Sequence, residues 1–229
     1  MRILLAIAAL ATAAPAGAAT RNFGIDSFDK IRVDGPYAVT LTTGVAPFAR
    51  ASGSPAALDA VEVKAEGHTL VVRASRSTWG GYPGTSTGPV QVEIGTHELG
   101  AAWLNGAGGL KINRVKGLSF QLSVQGSGSA TIERADVDQL NVGIAGTASA
   151  TLAGKVAKMT AVVRGISALD ATALAVKDAT IGAEGAATVK ANVTNAAKID
   201  GSGPATITLT GRPSCTVSVK GSTSVSGCR

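Results

Sequence analysis

Three stretches decide the fold: residues 121–132 read QLSVQGSGSATI, residues 141–152 read NVGIAGTASATL, and residues 160–171 read TAVVRGISALDA. Each places a glycine sixth, an alternating strand before it and a second alternating strand after it. Working outward, a glycine opens a small-residue turn at Gly106, Gly126, Gly146, Gly165, Gly185, Gly201 and Gly221. The successive spacings are 20, 20, 19, 20, 16 and 20 residues. A repeat of about 20 to 25 residues made of short strands and tight turns is what one coil of a solenoid requires. Leucine-rich repeats share that period, but their leucine consensus is missing here.

Columns counted from these glycines test the reading. Two residues before them stand Leu104, Val124, Ile144, Val163, Ala183, Ile199 and Val219, and four before them stand Ala102, Leu122, Val142, Ala161, Ile181, Ala197 and Val217. The positions between are polar or small, such as Gln121, Ser123, Asn141 and Lys198, so the period is two and one face is buried. After the glycine, the fourth position carries Ala130, Ala150, Leu169, Val189, Ala205 and Val225, and the sixth carries Ile132, Leu152, Ala171, Ala191, Ile207 and Gly227. Where one column is small its neighbour is large. Close packing demands such compensation when both columns fill one narrow core. Glycine suits the corner because it reaches positive φ without a Cβ clash.

The expectation is an all-β protein, a β-solenoid (β-helix) with coils of about 20 residues and Gly-rich corners. The N-terminal half continues the pattern through Ile31, Val33, Val39 and Leu41, then Val61, Val63, Leu70 and Val72 around a turn at Gly67, then Val90, Val92 and Ile94. Residues 75–89, SRSTWGGYPGTSTGP, are too rich in Gly, Pro, Ser and Thr for regular structure. Solenoid ends expose unpaired backbone and need covers. The segment around Phe23 and Phe28 is expected to cover one end, and a Cys215–Cys228 hairpin the other.

Composition agrees. Of 229 residues, 29 are glycine and only 3% are aromatic, a mixture suited to many short strands and poor for a helical globule. The formal charge of +6 is scattered. With no aromatic-interleaved basic patch, nucleic-acid binding is not supported, and the basic balance fits loose attraction to anionic envelope polymers.

Residues 1–19 read as a signal peptide: Arg2, an apolar run from Ile3 to Ala14, then Ala16-Gly17-Ala18 before a cleavage leaving Ala19 or Thr20 first. A retained signal anchor is the alternative, but the run is shorter than the about 20 residues a span needs. No cysteine in this segment invites a lipid anchor, and no transmembrane segment is expected after cleavage. Residues 20–229 are expected to form a single domain, exported to the periplasm, the cell surface or the medium. In that oxidising setting Cys215 and Cys228 read as a structural disulfide. A metal pair or redox site is the rival, disfavoured because there is no C-x-x-C and no histidine nearby in sequence.

The segment Phe28 to Leu41, F-x-x-I-x-V-x-G-x-x-x-V-x-L, the word V-x-V-x-x-x-G-x-x-L-V-V at Val61 to Val72, and the GSG-like turns that follow resemble the GIN domain. This is the auto-transporter adhesin head family, domain of unknown function 2807. The resemblance covers about residues 28–225, with several turns departing from GSG to GTA, GIS, GAA and GST. It implies a β-helical envelope protein and carries no catalytic residues. No barrel follows in this sequence, so a soluble periplasmic or secreted protein is expected.

Chemistry is sparse. Asp136 and Asp138 are the closest carboxylates of the repeat region and are expected in a solvated turn before Leu140; pectin-type lyases and hydrolases need paired carboxylates in a cleft. His68 falls in a turn and His97 at a strand end, too few ligands for a metal site. There is no P-loop, calcium β-roll nonapeptide or G-x-S-x-G elbow. No cofactor is expected. Exposed aromatics are the better candidates for ligand binding: Trp79 and Tyr82 on the long loop, and Trp103, which should point outward beside inward Leu104. The expected function is an exported, non-enzymatic, adhesin-like binding or structural module, its partner an envelope polysaccharide or a surface protein, with a homo-oligomer also open. A polysaccharide-active β-helix enzyme is the alternative.

Overall fold

The structure is a computed structural model and describes residues 19–75 and 88–229. The head of the molecule is built by β1 (Ala19–Phe23), β2 (Lys30–Asp34), β3 (Ala38–Thr43), β4 (Phe48–Gly53), a single helical turn α1 (Pro55–Asp59), β5 (Val61–Glu66), β6 (Thr69–Ala74) and β7 (Gln91–Thr96). The coils continue through β8 (Ala101–Gly106), β9 (Gly109–Ile112), β10 (Val115–Gly126), β11 (Ser129–Gly146), β12 (Ser149–Gly165), β13 (Ala168–Glu184) and β14 (Thr188–Ser202). They close with β15 (Thr206–Thr210), β16 (Ser214–Lys220) and β17 (Ser224–Ser226).

From β8 onward each strand lies parallel to its counterpart one coil later. Val124 sits in register with Leu104 and Ile144, Ile144 with Val163, and Val163 with Ala183. The inward columns read from the sequence are therefore real stacks, and almost every member is buried. Compensation holds in register: Ala130 and Ala150 stack before Leu169, while Ile132 pairs Leu152.

Each long strand bends twice. In β11 the buried positions run 130, 132, then 135, 137, then 140, 142, 144, so the inward parity flips twice. Two corners per strand plus the glycine corner give each coil three straight sides. The middle side is short, carrying Val137, Val156 and Val176 in register. The sequence columns had covered only the sides flanking the glycine.

One column is corrected. The corner glycine after Gly185 is Gly203, with φ of +82°, lying against Gly185, and Gly221 lies in turn against Gly203. Gly201 is a buried strand residue paired with Ala183. Ile199 therefore stacks on Ile181, and Ile207 on Val189. That coil is two residues shorter than its predecessor, and the GSG word offers glycines at both positions without changing the inward parity.

The head does not follow chain order. β2 lies between β6 and β8, and β3 between β7 and β9, all parallel. Beyond them the chain reverses: β5 pairs β6 and β4 pairs β7 antiparallel, with β1 antiparallel on β4. The β5–β6 hairpin turns at Gly67, as the sequence indicated. The end is plugged mainly by α1, which had not been anticipated. Ser54 caps it by accepting the Ala57 N–H at 3.2 Å, Pro55 sits in its first turn, and Ala57 and Leu58 are buried. Phe28 is buried and Phe23 packs partly buried against the core, so both contribute.

At the other end Cys215 and Cys228 are bonded, with Cα atoms 5.7 Å apart. They do not close a hairpin. β16 and β17 are successive sides of the last coil, stacked on β14 and β15 respectively. The disulfide closes that coil into a covalent ring.

Candidate functional site

On the outer face of the side preceding the glycine, alternation turns Arg32 and Asp34 of β2 and Trp103 and Asn105 of β8 away from the core. Register places Arg32 beside Trp103, Asp34 beside Asn105, and Trp103 beside Ser123 of β10. Together with Val71 of β6, Glu66 of β5 and Gln125 of β10, they line an open groove of ≈ 690 Å³.

The groove is lined by polar and apolar surface in equal measure, and its polar groups are tied to one another. Asp34 accepts from Asn105 Nδ2 at 2.7 Å and takes the Arg32 Nε at 2.8 Å. Glu66 is held by Arg73 at 3.1 Å, and Arg73 also pairs Glu62 at 3.0 Å. The hydrogen bond and charge of Glu62 hold the Arg73 guanidinium above its ordinary pKa. Both groove carboxylates are thus ion-paired. Trp103 is half-buried and lines the groove.

The structure places Trp103 as expected, outward beside buried Leu104. Trp79 and Tyr82 lie outside the described residues. Asp136 and Asp138 are outward residues of strand β11, one on each side of buried Val137, not part of a turn. Asp136 is 3.4 Å from Arg114 and in register with Lys155. Both aspartates line a depression of ≈ 420 Å³ together with Lys155, Lys177 and Thr194. His68 and His97 are exposed. Among the described residues no group of three or more His, Cys, Asp and Glu could hold a metal ion, and no helix is long and apolar enough to cross a membrane.

Sequence reasoning missed Arg32, Asp34, Asn105 and Gln125 as companions of Trp103. Each sits at an outward position of an alternating strand, and that signal was present. The pairing of β2 with β8 that unites them was not.

Comparison with solved structures gives the same architecture. A "putative adhesin" from Bacteroides fragilis NCTC 9343 superposes with a TM-score of 0.81 at 17% identity, covering 91% of this chain and 96% of that one. A "putative lipid binding protein" from Parabacteroides distasonis ATCC 8503 follows with 0.73 at 18% identity, over 91% and 95%. A "putative adhesin" from Parabacteroides merdae ATCC 43184 gives 0.69 at 17% identity, over 91% and 95%. At such identities the likeness speaks for the fold alone. No curated protein sequence matches the chain. Residues 27–213 match a family described as "Putative auto-transporter adhesin, head GIN domain", and with that match spanning most of its length the chain belongs to this family.

Proposed function

We propose that this chain is an exported, non-enzymatic envelope module that binds the rings of a polysaccharide in the groove at Trp103. The observation that carries the reading is a half-buried tryptophan flanked in register by a fixed Arg32–Asp34–Asn105 hydrogen-bonded set. A sugar ring has an apolar C–H face and a rim of hydroxyls. An indole face with preorganised donors and acceptors at its edge complements both. A lipid chain would ask for an apolar lining, and here Val71 is the lone aliphatic beside the indole. The export segment at residues 1–19, the +6 charge and the adhesin names of the structural relatives are consistent with work at an anionic cell envelope.

The test is a binding screen of the exported protein against glycans and envelope polymers, beside Trp103→Ala and a Trp79→Ala/Tyr82→Ala double variant. Saturable binding weakened at least about tenfold by Trp103→Ala supports the reading, since a lost aromatic platform is worth roughly 1–3 kcal/mol. Binding lost only in the double variant moves the site to the 75–89 loop. Shortened polymer chains would replace the reading with the enzyme alternative, and no binding at all would end it in favour of a protein partner.

A further inference from the structure

One row of outward residues crosses the head into the first coil. Register runs it from Lys64 of β5 through Val71 of β6, Arg32 of β2 and Trp103 of β8 to Ser123 of β10. The Arg32 guanidinium is tethered at one end of its fork. Its Nε donates to Asp34, 2.8 Å from Oδ2 and 3.0 Å from Oδ1, and Asp34 is itself fixed by Asn105 Nδ2 at 2.7 Å. An arginine has five N–H donors. The four on Nη1 and Nη2 of Arg32 meet no acceptor among the described residues, and the side chain is 55% exposed. Arg164 shows the contrast within the same chain: it closes its fork on the Glu184 carboxylate, with Nε at 2.9 Å and Nη2 at 3.2 Å.

We infer, resting on the polysaccharide reading of this groove, that its sugar is acidic: a singly charged oxyanion on the ring, above all a uronic acid carboxylate, is held by the free Nη pair of Arg32 while the ring sits on Trp103. Neighbouring strands lie about 4.8 Å apart, and Arg32 and Trp103 are register neighbours. A ring on one side chain therefore brings a substituent on its rim to the other. A carboxylate is planar and meets the planar fork through two parallel N–H···O bonds, each stronger than a bond to a neutral hydroxyl. The surrounding charge fits a monoanion. On this face four cations, Lys30, Arg32, Lys64 and Arg73, stand against three carboxylates, Asp34, Glu62 and Glu66. One positive charge is left over, whereas a phosphate monoester carries nearly two negative charges and would meet Asp34 uncompensated.

The measurement is calorimetric binding of the exported protein to oligomers of polygalacturonate, alginate and hyaluronate. Each is set beside the same oligomer with its carboxylates methyl-esterified, which keeps the rings and removes the charge. At least one acid should bind at least about tenfold more tightly than its ester, the margin of a charge-assisted pair over neutral hydrogen bonds. Trp103→Ala should weaken acid and ester alike. Arg32→Gln should bring the acid down to the level of the ester, and Arg32→Lys, which keeps the charge and loses the fork, should recover only part of the margin. Because Arg32→Gln also leaves Asp34 unpaired, the deciding variant is Arg32→Gln/Asp34→Asn, which carries neither charge and should bind acid and ester equally. Arg50→Gln removes one charge from β4, outside the groove, and should leave the margin in place.

Acid and ester bound alike by the wild type, or neutral glycans alone bound, would overturn the acidic assignment and leave a neutral-sugar groove at Trp103 standing. A margin that survives in the double variant, or that falls equally in Arg50→Gln, would overturn it too, because the attraction would then come from the overall charge of the chain. Binding of no glycan of either kind would remove the polysaccharide reading and the acidic sugar with it. Dextran sulfate against dextran separates the sources of the oxyanion. A margin there that also depends on Arg32 supports the assignment with sulfate esters included in the class, and its absence beside a uronate margin supports it with carboxylates alone.

Discussion

At the corner between two coils, a Cβ on Gly146 would lie 2.5 Å from the carbonyl oxygen of Gly126, and the residue's φ is +99°. Both facts forbid a side chain, whereas Gly143, three residues earlier on the outer face, has nothing within 4 Å. Gly146→Ala should therefore cost about 2–3 kcal/mol from strain and a displaced corner. Gly143→Ala should stay within about 0.5 kcal/mol, or stabilise, by restricting the unfolded chain. Urea midpoints of the two variants decide it, and equal losses would mean the corners do not stack as described. A second residue-scale effect sits at Asp170. Its carboxylate accepts from the Thr172 hydroxyl at 2.6 Å and the Thr172 N–H at 3.1 Å, and with Lys190 nearby these hold its pKa below the ordinary value. A depressed folded-state pKa adds stability that is present above the unfolded pKa and lost as pH falls through the folded one. Wild type should thus exceed Asp170→Asn by under about 1 kcal/mol at neutral pH, given the exposure of the site. The gap should close as the pH drops below about 4.

At the scale of elements, the terminal coil is held by the Cys215–Cys228 bond and by parallel pairing with β14 and β15 on one side only. Closing a loop of that length contributes about 3 kcal/mol by chain entropy. In a stacked array, each coil feels only its neighbours. Reduction should therefore speed amide exchange across β16 and β17 while leaving β11 to β13 protected, which hydrogen exchange with and without reductant will read. A uniform loss along the chain would mean that the coils are not energetically separable. These elements also show what the sequence could reveal. The stacks through Val124, Ile144 and Val163 were readable because a buried strand face repeats every second residue and the coil every twenty or so. The frame slipped at Gly201 because parity cannot distinguish Gly201 from Gly203 when a coil shortens by two. The middle side stayed hidden because three residues around Val137 are too few to show a period. α1 stayed hidden for the same reason, its signal reduced to Ser54-Pro55. At the site, the outward aim of Trp103 followed from Leu104, but its companion Arg32 came from a pairing no local pattern announces.

For the whole molecule, that pairing sets an order of assembly. Coils from β8 to β14 stack on segments about twenty residues away in sequence, whereas β2 must find β8 across 71 residues, the separation of Asp34 and Asn105. Loop closure grows costlier with length and non-local pairing slows folding, so the central coils should form before the head inserts β2 and β3 between β6–β7 and β8–β9. The groove is made at this junction. Arg32 and Asp34 come from one side of it, and Trp103 and Asn105 from the other. Trp103 emission, followed in a Trp79→Phe background, should then lag behind the strand signal of circular dichroism during refolding, and pulse-labelled amides of β11 to β13 should be protected before those of β2. On the proposed function, a glycan seated in the groove would accelerate neither phase but would slow unfolding of the head, since it would bridge strands that only the finished junction brings together. Simultaneous protection of head and coils would show instead that the solenoid folds as one cooperative unit, with the groove present from the first stable state.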